Sequence, residues 1–162
     1  MYSVEYLRSV LEYDADTGIF TWLVKPAQCV HVGDIAGTLD SRGYRQIRLN
    51  GKKELAHRIA WAMAYGEWPT HCIDHVNHDK ADNRLSNLRA ATASQNRYNM
   101  PKYKNNTSGI KGVSFNRKAG KWRAFISADG VKKYLGEYHT KEAAASARAS
   151  AAQLLHGDYA NV

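Results

Sequence analysis

The chain has 162 residues, 44% of them hydrophobic and 23% charged, which suits one medium domain or two small ones with a modest core. No segment approaches the roughly 20 apolar residues of a membrane span and no signal peptide is evident, so we expect an intracellular protein. Cys29 and Cys72 stand far apart and form no CxxC pair, so the sequence signals neither a cysteine-rich zinc site nor a disulfide framework. We expect both cysteines to be buried as small apolar residues.

The net charge of +8 belongs almost wholly to the last third of the chain. Residues 1–100 contain 12 Lys and Arg against 11 Asp and Glu, whereas residues 101–162 contain 11 against 4. A basic part beside a nearly neutral one indicates that one part binds a polyanion and the other acts on it. On charge alone, a solvated basic surface is the alternative.

The first part of the chain is predicted to mix short helices and strands. Helical spacing covers residues 2–13, and a strand follows at 19–24. Residues 43–49 and 54–57 flank Asn50-Gly51, a two-residue hairpin signal. A helix at 59–65 then ends at Gly66 and Pro69.

The last third is predicted to form a three-stranded antiparallel meander and a helix. The strands are expected at 111–116, 121–127 and 132–138, with turns between them. Thr140 is placed to begin a helix that runs to His156, with Gly157 just past its end. Its apolar stripe is expected to contain Ala143, Ala144, Ala147, Ala151, Leu154 and Leu155.

Alternation along the middle strand assigns the two faces of this sheet. Trp122, Ala124 and Ile126 suit the helix-facing side, which directs Lys121, Arg123, Phe125 and Ser127 outward, and Lys132 and Tyr134 extend that outer face. Basic and aromatic side chains on a sheet suit the major groove of DNA. For any single residue, a solvated surface charge is an equally good interpretation.

The motifs KGV, GKW, LG-x-Y-x-T and EAA carry a family resemblance over residues 106–160. This segment resembles the APETALA-type domain of plant ethylene-response factors, which also occurs in mobile-element endonucleases. The resemblance implies DNA contacts by Lys111, Ser114, Asn116, Arg123, Phe125, Ser127, Lys132 and Tyr134. Several of these positions are commonly Arg in the plant proteins, so the target sequence is not predicted from them.

The segment from Ile73 to Asn99 reads IDHVNHDKADNRLSNLRAATASQNRYN and lacks a long apolar run. His75 ends a short strand predicted at 72–75, where an imidazole can act as a general base. Thr92 is a plausible N-cap for a helix to about Asn99, which places Asn96 in its early turns. An Asp74 carboxylate and an Asn96 carbonyl would form a hard oxygen site that suits one Mg²⁺ or Mn²⁺ ion better than zinc.

Over residues 57–99 this pattern resembles the HNH nuclease motif in its ββα-metal form. The resemblance implies that Asp74 binds metal, that His75 is the general base, and that Asn87 is the central catalytic Asn, which we expect to fix the orientation of His75 across the hairpin loop. Asn96 stands where the last His usually lies, so this is an HNN variant. Arg58 is expected to contact phosphate or a nearby carboxylate, and Asp82-Asn83 to brace the loop.

These patterns predict an α+β protein with two functional parts. Residues 1–100 are predicted to form an HNH endonuclease domain, 101–109 a linker, and 110–162 an APETALA-type DNA-binding domain. The predicted activity is metal-dependent hydrolysis of double-stranded DNA by a homing or mobile-element nuclease, inside a cell and on phage or bacterial DNA. No membrane contact or obligate protein partner is predicted.

Alternatives from other classes stay open. One is a DNA-binding regulator whose HNH segment is inactive, and another is an RNA-binding module, since basic sheets also bind RNA. A zinc cluster of His71, Cys72, His75 and His78 is disfavoured by strand geometry. Cleavage of one strand or two, and the oligomeric state, are left undecided.

Overall fold

The computed structural model describes residues 1–100, 102 and 105–160. The chain divides into two compact units, Met1–Ala91 and Thr92–Val162. Residues 101, 103 and 104 of the predicted linker, and residues 161 and 162 of the predicted DNA-binding domain, lie outside the described residues. The predicted domain limits remain predictions. Within the described residues, no helix combines the length and apolar character needed to cross a bilayer.

The first unit alternates short strands with two helices. In chain order it contains α1 (Val4–Val10), β1 (Leu11–Tyr13), β2 (Phe20–Trp22), β3 (Thr38–Leu39), β4 (Arg45–Leu49), β5 (Lys52–Leu55), α2 (Ala56–Tyr65), β6 (Cys72–His75) and β7 (Leu88–Ala91). The strands form antiparallel sheets of order β1-β2, β3-β4-β5 and β6-β7. Their buried core includes Leu7, Leu11, Phe20, Ile47, Leu49 and Ile59.

The helix predicted over residues 2–13 is shorter than expected. The Ser3 hydroxyl caps it by accepting from the Tyr6 N–H, and it ends at Val10. Residues 11–13 instead pair with β2, Leu11 opposite Trp22 and Tyr13 opposite Phe20. The apolar spacing is right for either structure, and the partner strand decides it because it satisfies the backbone N–H and C=O groups.

The Asn50-Gly51 hairpin is confirmed. Both residues have positive φ, 43° and 81°, as a two-residue hairpin turn of this type requires. Leu49 pairs with Lys52 directly across the turn. The following helix, α2, ends at Gly66, whose φ of 81° is left-handed as predicted for a C-cap glycine.

The second unit contains α3 (Ala93–Asn99), β8 (Val113–Asn116), β9 (Lys121–Ala128), β10 (Val131–Tyr138) and α4 (Lys141–His156). The sheet is antiparallel with order β10-β9-β8, so the predicted meander is confirmed. Both predicted N-caps are present: Thr92 forms a capping box with Gln95, and the Thr140 hydroxyl accepts from the Ala143 N–H.

The buried face of α4 differs from the predicted stripe. Leu154 is 86% exposed and Leu155 is 39% exposed. The residues that face inward are instead spaced by four: Ala144, Arg148, Ala152 and His156. Ala144 packs with Val113 and Ala124 of the sheet, so small residues let helix and sheet lie close together. A second expectation is also wrong, because Cys29 and Cys72 are both exposed.

Candidate active site and nucleic-acid face

The end of β6 brings Asp74 and His75 into the interior of the first unit. Asp74 is 6% exposed and His75 is 5% exposed, although adjacent strand residues point to opposite sides. A tight turn follows, in which the His78 N–H donates to the His75 carbonyl at 3.1 Å. The strand therefore ends in two chemically active side chains that are both held away from bulk water.

Two further rings surround His75. His57, in the first turn of α2, meets it edge to face with 4.9 Å between ring centroids. Tyr44 lies 6.0 Å from the His75 ring and 5.5 Å from the His57 ring, and the Lys80 ammonium sits 4.8 Å above Tyr44. His75 is thus packed in a cluster of rings that come from three separate segments of the chain.

The same packing keeps both imidazoles neutral. Burial lowers the pKa of His75, and this outweighs the opposing effects of the Asn83 side chain and of Asp74, Asp79 and Asp82. Burial, with the neighbouring His75 and Arg58, lowers the pKa of His57 to about 3. At neutral pH His75 therefore has a lone pair available to accept a proton, as a general base requires.

Asn87 ties together the loop that joins β6 to β7. Its side-chain oxygen accepts from the Asn77 N–H at 3.0 Å, and its side-chain nitrogen donates to the Asp82 carbonyl at 2.9 Å. The Val76 N–H also donates to the Asn87 carbonyl. Asn87 thus spans the loop, and its described contacts position the backbone that follows His75 and do not reach the ring itself.

The Asp82-Asn83 pair anchors this loop to the N-terminal region. Asn83 is 1% exposed, and its carbonyl accepts from the Tyr13 hydroxyl at 2.8 Å. Asp82 forms an ion pair with Arg84, whose hydrogen bonds lower the pKa of the Asp82 carboxyl to about 2. Gly18 packs on the backbone of Asn83 and Arg84, where an added Cβ would lie 2.4 Å from the Arg84 nitrogen.

Asp74 forms a buried ion pair with Arg89, its cross-strand partner on β7. The Arg89 Nε and Nη2 atoms lie 2.9 and 2.8 Å from Asp74 Oδ2. The Arg89 side chain is 18% exposed and the Asp74 side chain is 7% exposed. The candidate metal ligand is therefore already compensated by a fixed positive charge.

The described residues contain no cluster of three or more His, Cys, Asp and Glu side chains placed to hold a metal ion. The donors that the sequence singles out are an acid and an amide, both hard oxygen ligands that suit a magnesium-type ion. Asp74 fits such an ion, because its buried carboxylate already binds one positive charge, the guanidinium of Arg89. Asn96 lies on α3 in the second unit.

Arg58 is the remaining candidate in the first unit, and no carboxylate among the described residues forms an ion pair with it. Its Nη2 atom donates to the Pro69 carbonyl at 3.1 Å. This bond ties α2 to the segment that leads into β6. The predicted contact of Arg58 with phosphate stays a prediction.

The outer face of the second-unit sheet brings most of the predicted DNA contacts together. Cross-strand pairing sets Ser114 opposite Arg123, Phe125 opposite Tyr134 and Ser127 opposite Lys132. The Lys132 ammonium lies 4.2 Å above the Phe125 ring. Ala124 and Ile126 are buried on the other face, which confirms the predicted alternation along β9.

An acidic residue that the sequence analysis left out lies on the same face. Glu137 accepts from Arg123 Nε at 2.7 Å and from Asn116 Nδ2 at 3.0 Å. These hydrogen bonds lower the pKa of the Glu137 carboxyl. A bulge between Tyr134 and Gly136 brings Glu137 opposite Arg123, and it was not predictable from simple alternation.

Lys111 stands apart from the other predicted DNA contacts because it precedes β8, which begins only at Val113. Its ammonium donates to the carbonyls of Tyr98 at 2.9 Å and Met100 at 2.5 Å, at the end of α3. Burial lowers the pKa of Lys111 to about 8. The side chain therefore caps a helix C-terminus, where orphan carbonyls favour a cation.

Comparison with known proteins bears directly on the β6–β7 region. Residues 54–98 match the family model described as HNH endonuclease. Over this segment the chain is therefore similar to HNH endonucleases. The matched range contains Asp74, His75, Asn87 and Asn96, which the sequence analysis singled out.

Two curated relatives extend the comparison. The chain is 37% identical over 75 residues to Protein 3.8 of Escherichia phage T7, covering 46% of the chain and 62% of that relative. It is 31% identical over 111 residues to uncharacterized HNH endonuclease L560 of Acanthamoeba polyphaga mimivirus, covering 68% of the chain and 57% of that relative. The chain thus spans less than two thirds of the length of either relative.

A solved structure of the HNH homing endonuclease I-HmuI, from work on its DNA binding and cleavage, superposes with a TM-score of 0.45 at 20% identity, covering 96% of the chain and 90% of that structure.

The sequence analysis did not single out three residues that lie around Asp74 and His75, namely Arg89, Tyr44 and His57. Arg89 directly follows the Asn87-Leu88 motif. In the β6–β7 hairpin Cys72 pairs with Ala91, and this register places Arg89 opposite Asp74. Knowledge of the strand register would therefore have identified Arg89. Tyr44 reaches the site from a distant hairpin, and nothing local in the sequence marks it.

Proposed function

We propose that the protein is a metal-dependent endonuclease that hydrolyses phosphodiester bonds in double-stranded DNA. The observation that carries the proposal is a buried, neutral His75 beside Asp74, at the end of β6 within the segment that matches the HNH family model. A neutral imidazole and a hard carboxylate on one short strand are the groups that hydrolysis of a phosphodiester needs.

In this proposal His75 takes a proton from a water molecule as the water attacks the scissile phosphorus. The aromatic cluster of Tyr44 and His57 holds the ring and keeps its pKa low, so the base form is present at neutral pH. Asn87 fixes the loop after His75, so the ring meets the water in one orientation. A bound divalent ion would stabilise the negative charge that develops on the phosphate and the leaving oxygen.

Asp74 and Asn96 are the residues assigned to hold that ion, Mg²⁺ or Mn²⁺. Both supply hard oxygen donors, and DNA phosphate and water would complete the shell. The assignment of Asn96 comes from the HNN pattern in the sequence, with Arg58 a candidate phosphate contact.

The second unit is proposed to bind the DNA through the outer face of its sheet. Support comes from a face that combines exposed cations with the Phe125 and Tyr134 rings, which pack at a 47° tilt with their centroids 5.2 Å apart. The proposed contacts are Ser114, Asn116, Arg123, Phe125, Ser127, Lys132 and Tyr134. Lys111 is left out of this set, because its ammonium donates to the carbonyls at the end of α3; we assign it the structural role of capping that helix. The proposal includes the APETALA-type character of this domain and a role as a homing or mobile-element nuclease. The similarity to a phage protein supports phage or bacterial DNA inside a cell as the substrate.

One observation favours a second candidate function, a DNA-binding regulator without catalysis. His75 is only 5% exposed, and the carboxylate next to it is occupied by Arg89. An enzyme must open this site to water and phosphate, whereas a regulator would keep it closed.

The deciding experiment is metal-dependent nicking of supercoiled plasmid. The full chain should convert supercoiled to open-circular DNA in Mg²⁺ and not in EDTA. His75→Ala should abolish conversion while gel-shift affinity for duplex DNA persists. His71→Ala, an exposed histidine in the same segment, is the matched control and should cleave normally. Wild-type protein that binds DNA but never nicks it establishes the regulator, and cleavage of structured RNA in preference to duplex DNA would remove the DNA assignment.

A further inference from the structure

Arg89 lies where a metal ion would compete with it. The strand register sets Arg89 directly opposite Asp74, so the pair is built into the β6–β7 hairpin and does not depend on a chance side-chain conformation. The Arg89 Nε and Nη2 atoms both contact the same oxygen of the Asp74 carboxylate, at 2.9 and 2.8 Å. A cation bound to this carboxylate would be repelled by the guanidinium beside it.

The surroundings strengthen this repulsion. Asp74 is 6% exposed, so the site is weakly screened by water and salt. A single carboxylate cannot neutralise a guanidinium and a divalent ion at once. Additional negative charge has to arrive with the metal, and a DNA phosphate supplies it.

Arginine is also suited to accept that phosphate. Its planar guanidinium donates two parallel hydrogen bonds to carboxylate or phosphate with nearly the same geometry. Arg89 can therefore exchange one oxygen acid for another without losing its hydrogen bonds. The exchange leaves the Asp74 oxygens to the metal.

We propose that the Arg89 guanidinium occupies the cation-binding position on the Asp74 carboxylate in the absence of DNA. When metal and DNA bind together, Arg89 moves from Asp74 to the substrate phosphate, and the metal ion takes its position on Asp74. The inference rests on the proposed nuclease function. It makes metal binding weak without DNA and couples the two ligands, which restricts hydrolysis to the assembled complex.

The test measures Mn²⁺ affinity of the full chain without DNA, by electron paramagnetic resonance of the free ion. Arg89→Gln should bind Mn²⁺ at least tenfold more tightly than wild type, because the competing charge is gone, with Arg89→Lys between the two. Arg8→Gln, which removes an exposed arginine that donates to the Met63 carbonyl in the same unit, should match wild type. The Asp74→Asn, Arg89→Gln double variant should lose the gain, which locates it at Asp74.

Affinity that is unchanged or weaker in folded Arg89→Gln overturns the inference, as does Mn²⁺ binding that is absent from every variant. If Arg89→Gln fails to fold, Arg89→Lys decides by the same criterion. The second arm is plasmid nicking at saturating Mn²⁺, where Arg89→Gln should be at least tenfold slower, and an unchanged rate would refute transfer to phosphate. A gain in Mn²⁺ affinity with no nicking by wild type would instead refute the nuclease function and leave the competition at Asp74 standing.

Discussion

His57 and His75 meet edge to face with 4.9 Å between their ring centroids and an 85° angle between their planes. Two imidazoles in contact and out of water disfavour a positive charge on either ring, because each charge would lack solvent and would repel a second. The pair is therefore neutral over the physiological range. Burial of this pair therefore affects both the pH dependence of the stability of the first unit and the protonation state of its proposed base, His75.

Acid should destabilise the protein through His57. The pKa of His57 is about 3 in the folded protein, against an ordinary value of 6.5 that applies to the unfolded chain. Between these two values the unfolded chain binds more protons than the folded one, so the free energy of unfolding falls as the pH drops through this range. From pH 7 to pH 5 this group alone costs roughly 2 kcal/mol. Urea unfolding at both pH values measures it. His57→Gln should lose most of that difference, and an unaltered pH dependence in the variant would show that His57 is not the titrating group.

Nicking should depend on deprotonated His75. Since burial lowers the pKa of His75 below its ordinary 6.5, the base form should predominate at pH 7, and activity should fall on an acid limb below pH 6.5. The rate at subsaturating plasmid, from pH 4.5 to pH 8 in Mg²⁺, gives the profile. An apparent pKa for kcat/KM above 6.5 would contradict the lowered value for His75.

Asn87 should contribute to the loop more than to the chemistry. Asn87→Ala removes two hydrogen bonds and leaves the Asn77 N–H and the Asp82 carbonyl without this partner, at a cost of about 2 to 4 kcal/mol. The nicking rate should fall less than in His75→Ala. Asn87→Asp is the control, since it keeps an acceptor for Asn77 but replaces the donor to Asp82. If Asn87→Ala were the slower enzyme, Asn87 would have to act directly on substrate.

Local signals in the sequence predicted local structure well. Asn50-Gly51, the Thr92 and Thr140 caps and the limits of β6 are decided by residues a few positions apart, and all are found as expected. Leu11 was assigned to a helix because its spacing fits one. Its strand partner Trp22 lies outside any such window.

The predicted site residues differ in the same way. Asp74, His75 and Asn87 were found from a motif, and the structure gathers them around one loop. Arg89, Tyr44 and Glu137 depend on strand register, on a distant hairpin and on a bulge, which are tertiary features. The buried face of α4 was missed for a related reason: Arg148 and His156 are polar, and an apolar pattern does not mark them.

Gly18 should be intolerant of any side chain. Its φ is +72°, and an added Cβ would lie 2.4 Å from the Arg84 nitrogen and 2.5 Å from the Asn83 carbonyl carbon, both backbone atoms. Gly18→Ala should therefore cost at least about 3 kcal/mol and disturb the loop that Asn87 braces. Gly66→Ala is the matched control, because φ is +81° there with nothing within 4 Å, and it should cost only about 1 kcal/mol. Equal losses in the two variants, measured by urea unfolding, would remove the packing explanation.

Lys132 should be a sequence-independent contact to DNA. Its ammonium lies 4.2 Å above the Phe125 ring on the outer face, opposite the exposed Ser127. Lys132→Gln should weaken duplex binding and lower the slope of log affinity against log salt by about 1, as expected for one lost phosphate contact. Lys133 pairs with Ile126 of the opposite face, so Lys133→Gln should leave the slope unchanged. A salt titration by fluorescence anisotropy compares the two, and a loss of slope in Lys133→Gln alone would assign the DNA to the other side of the sheet.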